Sequence, residues 1–392
     1  MPTTLLIDGL CYLLAMAGHV GVCAMLMNRL QGSGIEYRYE KVIKKIVKLG
    51  ALCGVLVPFA AYRFDPCLTA PIQWVGKQVV QFQGYYVCTV GFLLIVALRR
   101  LSHVYLDRCP QRWSMVRSRR LDAVGETGSD LIGSGGVIVW PRVPCNEIRK
   151  LEVNSKLIQI DRLPPQLDGF TITHFSDLHF TGILTKQYFQ WVLQKALDLK
   201  SDMIVVTGDI IDNPQLLPWV IDLFAPLAAQ TRCFYVLGNH DIRNLDPSRV
   251  REALATAGCH DLGGQTTTFE HPHCQIQLSG NEQPWIGAAP MIPDVDVDLH
   301  IGVAHTPDLF SWAQDHDMHL LLAGHAHGGQ IRIPLVGPVV TPSLHGVRYA
   351  SGVFYQNATM MHVTRGIGGL QPIRYRCFPE ITQLELCRQI ET

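Results

Sequence analysis

The 392-residue chain carries no net charge, with 33 Lys and Arg against 33 Asp and Glu. That balance leaves no global basic signature, and nucleic acid is not expected as a partner. No two of its 12 cysteines take a Cys-x-x-Cys spacing; they are scattered from Cys11 to Cys387. Without dense small-domain spacing they read as reduced thiols and not as a disulfide framework. No internal repeat is visible either.

Charge is also missing locally. Residues 9–27, "GLCYLLAMAGHVGVCAMLM", contain no Asp, Glu, Lys or Arg, and roughly 20 apolar residues span a bilayer core. Residues 78–98 are likewise free of formal charge, and a shorter run at 46–62 is interrupted by Lys48 and Pro58. No Lys or Arg precedes the first run and no small-residue cleavage pattern follows it, which disfavours a signal peptide. Basic residues cluster from Arg29 to Lys48 and again from Arg99 to Arg120, while only Arg63 and Lys77 fall between the second and third runs. Three spans put both clusters on one side. The positive-inside rule then predicts a multi-pass membrane protein with its N-terminus outside and its C-terminal domain in the cytoplasm. The organisation expected is a membrane region of about three transmembrane helices over 1–120, a glycine-rich linker and lead-in over 121–167, and a soluble domain over 168–392.

In that domain strand and helix signals alternate. Strands are predicted at 170–176, 202–208, 233–238, 299–305 and 318–324. Helices are predicted over 185–200, within 214–229, and from Asp246-Pro247 and Thr306-Pro307, where an N-cap precedes proline at the first turn. The pattern predicts an α/β layered fold with a partly mixed sheet.

Polar clusters follow the strand cores: Asp177 and His179, Asp209 and Asp212, Asn239 with His240 and Asp241, His305, and His325 with His327. In open α/β sheets ligands bind beyond the carboxyl ends of strands, so all five can meet on one rim. Imidazole mixed with carboxylate and amide ligands suits Mn, Zn or Fe better than Mg or Ca. The set suffices for two divalent ions if one carboxylate bridges. Asp212 reads as a group behind the ligands or a helix cap. His174 reads as structural, Arg243 and Asn244 are candidates for phosphate contact, and Arg365 is a candidate for the same rim.

The ordered motifs "SDLHF", "TGDIID", "LGNHD", "AHTPD" and "AGHAHGGQ" resemble those of the calcineurin-like metallophosphoesterase superfamily over about residues 168–387. The resemblance implies a β-sandwich flanked by helices. It implies one ion, preferably manganese, on Asp177, His179 and His327, and a second on Asn239, His305 and His325, with Asp209 between them. His240 would then be the acid at the leaving-group oxygen, oriented by Asp241. The finer likeness, in "LDGFTITHFSDLHF" and "GHAHGGQIRIPLVGP", is to a membrane-associated branch that includes YkuE-like phosphoesterases and the chlamydial-type UDP-diacylglucosamine pyrophosphatase of lipid A synthesis. It implies a phosphodiester or pyrophosphate hydrolase acting on a lipid-linked substrate. A broad phosphodiesterase, a phospholipid phosphatase and a non-catalytic membrane pseudo-enzyme are the alternatives. The chain departs from the branch at "SGNEQPWIGAAP", residues 279–290, where many members carry a G-x-D-D-like element.

Overall fold

The uncharged runs of the N-terminal third form long helices, Pro2–Gly32, Tyr37–Phe64 and Gln83–Leu106. The computed structural model describes residues 2–64, 83–106, 111–134 and 140–388; the start of the third apolar run, 78–82, lies outside them. Among the described residues Leu13–Gly32 is long and apolar enough to cross a membrane, and a shorter apolar stretch covers Cys88–Arg99. Small residues let these helices approach. A Cβ on Gly18 would lie 2.3 Å from the Thr89 carbonyl oxygen of the third helix. His19, polar within an apolar helix, has Nε2 3.2 Å from the Gly50 carbonyl of the second. These helices make up one compact unit, Met1–Leu106, and Asp107–Thr392 makes up another.

The second unit is a mixed α/β sandwich. Its strands in chain order are β1 (Trp113–Asp122), β2 (Lys150–Gln159), β3 (Thr171–Phe175), β4 (Met203–Thr207), β5 (Arg232–Val236), β6 (His260–Asp261), β7 (Thr266–His271) and β8 (Cys274–Asn281). They continue with β9 (Leu299–Ala304), β10 (Leu320–Ala323), β11 (Arg332–Ile333), β12 (Gly337–Pro338), β13 (Gly352–Gln356), β14 (Thr359–Val363) and β15 (Glu380–Cys387). One sheet has the order β1-β2-β15-β3-β4-β5-β6, the other β13-β14-β10-β9-β8-β7, and β11 and β12 form a separate hairpin. β3, β4 and β5 run parallel to one another, as do β8, β9, β10 and β14.

Side-chain alternation builds the layers. In β4, Met203 and Val205 enter the core between the sheets, while Ile204 and Val206 enter the core under the helices Lys186–Leu197, Leu217–Gln230 and Pro247–Thr256. In β10, Leu320 and Leu322 face the first of these cores, and Leu321 and Ala323 face the short helix Phe310–Asp315. Two helix starts follow the expected caps: Asp246 accepts from Ser248 N and Thr306 from Asp308 N, and Thr185 adds a third, accepting from Tyr188 N.

The sheet extends further toward the N-terminus than the sequence pattern predicts. β1, expected as a basic membrane flank, and β2, expected as part of a lead-in, are both strands of the first sheet. The reason lies in what β2 buries. Glu152, Asn154 and Lys156 are buried along one side of it, where an apolar alternation would be expected. Lys156 Nζ donates to Glu380 Oε1 (3.1 Å) and lies 2.9 Å from His362 Nε2. Asn154 Nδ2 donates to the same oxygen (2.8 Å), and Arg365 Nε donates to Glu380 Oε2 (2.9 Å). Burial pushes the Lys156 ammonium below its usual pKa against the pull of Glu380. Burial works the other way on Glu380, but Arg365 and Lys156 outweigh it and hold the carboxyl well below the usual range.

Glu380→Gln would leave two buried cations with their shared carboxylate removed. The expected loss is about 3–5 kcal/mol of stability, read as a lowered unfolding midpoint of the detergent-solubilised chain. An unchanged midpoint would show that the network does not hold β15 in place.

Candidate metal centre

Each sequence-predicted site residue lies just beyond a strand. Asp177 and His179 follow β3, Asp209 follows β4, Asn239, His240 and Asp241 follow β5, His305 follows β9, and His325 and His327 follow β10. Three of these strands belong to one sheet and two to the other. The site therefore lies where the carboxyl ends of both sheets meet.

Among the described residues the structure gathers donor atoms into three groups: two share Asp209, and a third, of His179, Asp212 and His240, joins the first through His179. Asp177, His179, Asp209 and His327 each offer an atom within 4.8 Å of the others, and Asp209, His305 and His325 do the same. In the first group His327 Nε2 lies 3.3 Å from Asp177 Oδ1, and His179 Nε2 lies 3.5 Å from Asp209 Oδ2. In the second His305 Nε2 lies 3.3 Å from Asp209 Oδ1 and 3.0 Å from His325 Nδ1. The two oxygens of Asp209 thus face different groups. A Cβ on Gly238 would come within 2.2 Å of Asp209 Oδ1, so glycine is required where β5 passes that carboxylate.

The chemistry of the set fits divalent cations. Asp177 Oδ1, Asn239 Oδ1, His325 Nε2 and His327 Nδ1 are buried and have no hydrogen-bond partner among the described residues. Native proteins rarely leave such atoms unsatisfied. The far nitrogens of two other imidazoles are already engaged. His179 Nδ1 meets Asp212 Oδ2 at 2.8 Å, and His305 Nδ1 meets the Thr207 carbonyl at 2.6 Å. With Nδ1 held by a fixed acceptor, Nε2 is the nitrogen turned to the cluster, where a cation would replace its proton, the arrangement that orients metal-binding histidines. Burial lifts the Asp177 carboxyl to about 6. For His179 burial is outweighed by Asp212 and the other carboxylates, which lift the imidazole to about 9. The pocket thus concentrates buried negative charge and offers it to whatever cation enters.

Backbone strain marks the same residues. Asp177, His179, Asp209, His325 and His327 all have positive φ, between 48° and 64°. Side-chain-bearing residues rarely adopt this region, and such strain concentrates at functional sites.

His240 is buried beside this cluster, its ring centroid 4.7 Å from that of His179. Its expected orienting partner is corrected by the structure. Asp241 spends its carboxylate on backbone, with Oδ1 accepting from Ile210 N (2.8 Å) and Ile211 N (2.9 Å) and Oδ2 from Gly238 N (2.8 Å). It ties the β4 and β5 loops together, and both its oxygens are turned to backbone amides and not to an imidazole. Asp212 takes that place, with Oδ1 2.5 Å from His240 Nδ1. Asp212 therefore spans His179 and His240, and despite burial the two imidazoles hold its carboxyl below the usual range. Arg243 reaches Nε2 of His240, and Asn244 Nδ2 donates to the Asp212 carbonyl (3.1 Å). Arg365, expected on the rim, is half-buried and its guanidinium pairs with Glu380 and Glu152. His174 is buried in β3 with Nε2 3.0 Å from Thr207 Oγ1. Sequence reasoning missed Trp285, whose ring lies 4.8 Å from that of His325 and 5.6 Å from that of His305. The only signal was a lone Pro-Trp inside the departing 279–290 element.

Comparison with known proteins agrees with this geometry. The sequence profile described as calcineurin-like phosphoesterase matches residues 170–329. The Bacillus subtilis metallophosphoesterase YkuE is 32% identical over 254 residues, which cover 61% of this chain and 87% of that protein. A Danio rerio transmembrane protein with a metallophosphoesterase domain is 23% identical over 413 residues, covering 92% and 88%. The UDP-2,3-diacylglucosamine pyrophosphatase LpxG of Chlamydia muridarum is 25% identical over 291 residues, covering 58% and 87%. The chain belongs to the calcineurin-like metallophosphoesterases. It is a metal-dependent phosphoester hydrolase, and its candidate metal ligands stand together at the head of the sandwich.

Asp212→Asn should weaken metal binding about 10–100-fold by releasing the His179 ring. Titrating chelator-stripped protein with Mn by calorimetry reads this directly. Unaltered affinity would mean that Asp212 serves His240 alone.

Proposed function

We propose that this chain is a membrane-anchored dinuclear phosphohydrolase that cleaves a phosphodiester or pyrophosphate bond in a lipid-linked substrate such as UDP-diacylglucosamine. The observation that carries the reading is the pair of donor groups sharing Asp209. Asp177, His179 and His327 would hold one divalent ion, and Asn239, His305 and His325 the other, with manganese the preferred metal and zinc or iron the alternatives. Two such ions supply Lewis acidity toward a phosphoryl oxygen and toward an attacking water. The protein's own groups do the rest. Asp212 orients His240 through Nδ1; with Arg243 moved from Nε2 onto the bound phosphate, that nitrogen carries the proton given to the departing oxygen.

Two likenesses support the lipid reading. LpxG bears a name that specifies a diacylated sugar nucleotide, and the Danio rerio relative named as a transmembrane protein aligns with nearly the whole chain. The Leu13–Gly32 helix supports one membrane span, and the reading of three spans with the catalytic unit in the cytoplasm rests on the two basic clusters. A reporter fused after Thr392 is then active only in its cytoplasmic form; activity of a periplasmic or extracellular reporter would overturn the topology.

Function is tested by a substrate panel on the Mn-loaded, detergent-solubilised chain: UDP-diacylglucosamine, glycerophosphodiesters, phosphatidyl lipids and an aryl phosphodiester. The highest kcat/KM is expected on UDP-diacylglucosamine. Turnover of the water-soluble diesters alone would refute the lipid-linked assignment.

His240→Ala should keep both metals and lose about 10²–10⁴-fold in kcat/KM on an alkyl leaving group. The loss should be smaller for a nitrophenyl ester, whose leaving group needs little protonation, and intermediate for a UDP-lipid. Equal losses on all three would assign His240 to phosphate positioning.

A further inference from the structure

Five residues beyond His327 the chain enters the β11–β12 hairpin. Its base is fixed. Arg332 N donates to the Tyr375 carbonyl (3.0 Å), and Tyr375 N donates to the Gln330 carbonyl (2.9 Å). Arg332 Nε donates to the Gly328 carbonyl (2.9 Å), and its Nη2 donates to Ser351 Oγ (2.5 Å). Strand alternation that turns Arg332 toward the domain turns its neighbours Ile331 and Ile333 the other way. Both are exposed, as are Val336 and Val340, and Leu335 at the tip is fully exposed. Tyr375, bridged to Ile331, extends the apolar surface. Isolated exposed apolar residues need no explanation, but a contiguous group beside a catalytic site marks an interaction surface.

Charge indicates what the surface meets. From Met318 to Pro379 the chain has no Asp or Glu and five arginines, at 332, 348, 365, 374 and 376. Arg376, next to Tyr375, is exposed and Arg348 half-buried, while Arg374 is buried, Arg365 pairs with Glu152 and Glu380, and Arg332 is bonded into the domain. An apolar tip on a stretch of chain without carboxylates, with exposed Arg376 at its base, matches the boundary of an anionic bilayer, where acyl chains lie beneath negative headgroups. The same polypeptide also carries the membrane-length Leu13–Gly32 helix, so a lipid surface would be tethered to this domain.

We propose that the β11–β12 hairpin inserts Ile333, Leu335 and Val336 into the headgroup–acyl boundary of an anionic membrane and so seats the metal centre on the lipid surface. That seating serves a lipid-linked substrate only if the function proposed above holds; the insertion itself is independent of it.

The test uses the full chain reconstituted into phosphatidylcholine–phosphatidylglycerol vesicles, with and without brominated acyl chains. Leu335→Trp adds one indole to the seven native tryptophans, and its emission is the difference from wild type. Insertion predicts a blue-shifted difference spectrum, quenched about twofold or more by the brominated chains. An unshifted spectrum overturns the proposal. So does a blue shift without bromine quenching, which would mean a protein contact. Leu335→Asp with Val336→Asp should leave kcat/KM on an aryl phosphodiester unchanged and lower turnover of the vesicle-borne lipid substrate about tenfold. Equal loss on both substrates would assign the hairpin to the site's structure and overturn the proposal. Quenching of the indole in a protein that turns over no lipid substrate would uphold the insertion and refute the proposed function.

Discussion

Asp209 is the carboxylate on which the candidate site depends, because its two oxygens face candidate ligands borne by different sheets. Oδ2 faces His179 beyond β3, and Oδ1 faces His305 beyond β9. No covalent link fixes those ends relative to one another. Their spacing is set by packing of Val205 against the core that also holds Val303 and Leu322. Close-packed interiors transmit small volume changes, so an altered side chain in this layer reaches the donor spacing directly. Asp241 braces the same point by pinning the loops after β4 and β5 through three backbone amides.

The strained residues follow from that convergence. A strand leaving its sheet must turn at once to present a side chain to the neighbouring loop. Five of the candidate ligands do so with positive φ, at about 1–3 kcal/mol each. Backbone hydrogen bonds hold the turns in place. Asp177 N donates to the Gly208 carbonyl and His179 N to the Asp209 carbonyl, each at 3.0 Å. Cation binding would offset this cost together with the repulsion among the buried carboxylates. The site is thereby preorganised for metal and weakly self-satisfied without it.

Much of this was legible in the sequence, for identifiable reasons. Apolar strand cores followed by Asp, Asn or His are local patterns, and strand direction turns them into a shared rim, so the gathering of Asp177, Asp209, His305 and His325 could be read from spacing. The partner of His240 could not. Asp241 is adjacent in sequence, but the chain turn sends its carboxylate into the backbone, and Asp212 arrives from another loop 28 residues away. Nor could β2 be read as a strand. Its buried side is Glu152, Asn154 and Lys156, and their partners Glu380, His362 and Arg365 lie more than 200 residues later. Polarity compensated across such a distance resembles a loop until the fold is seen. Trp285 was hidden for the same reason, since nothing near it in the chain announces the two imidazoles it packs against.

The placement of β15 has a consequence for biosynthesis. Residues 380–387 form the last described strand, yet it lies inside the first sheet, parallel to β2 and antiparallel to β3. While the chain is being translated, β2 and β3 therefore present open edges to one another for as long as it takes to make some two hundred residues. Unpaired edges of this kind invite wrong pairing, and contacts so distant in sequence form slowly. The N-terminal helices emerge first, so a growing chain that follows the proposed topology is already committed to a bilayer before its catalytic unit can close. Its closing strand arrives some two hundred residues after the strands it joins, so an open half-sandwich persists until that stretch has been made.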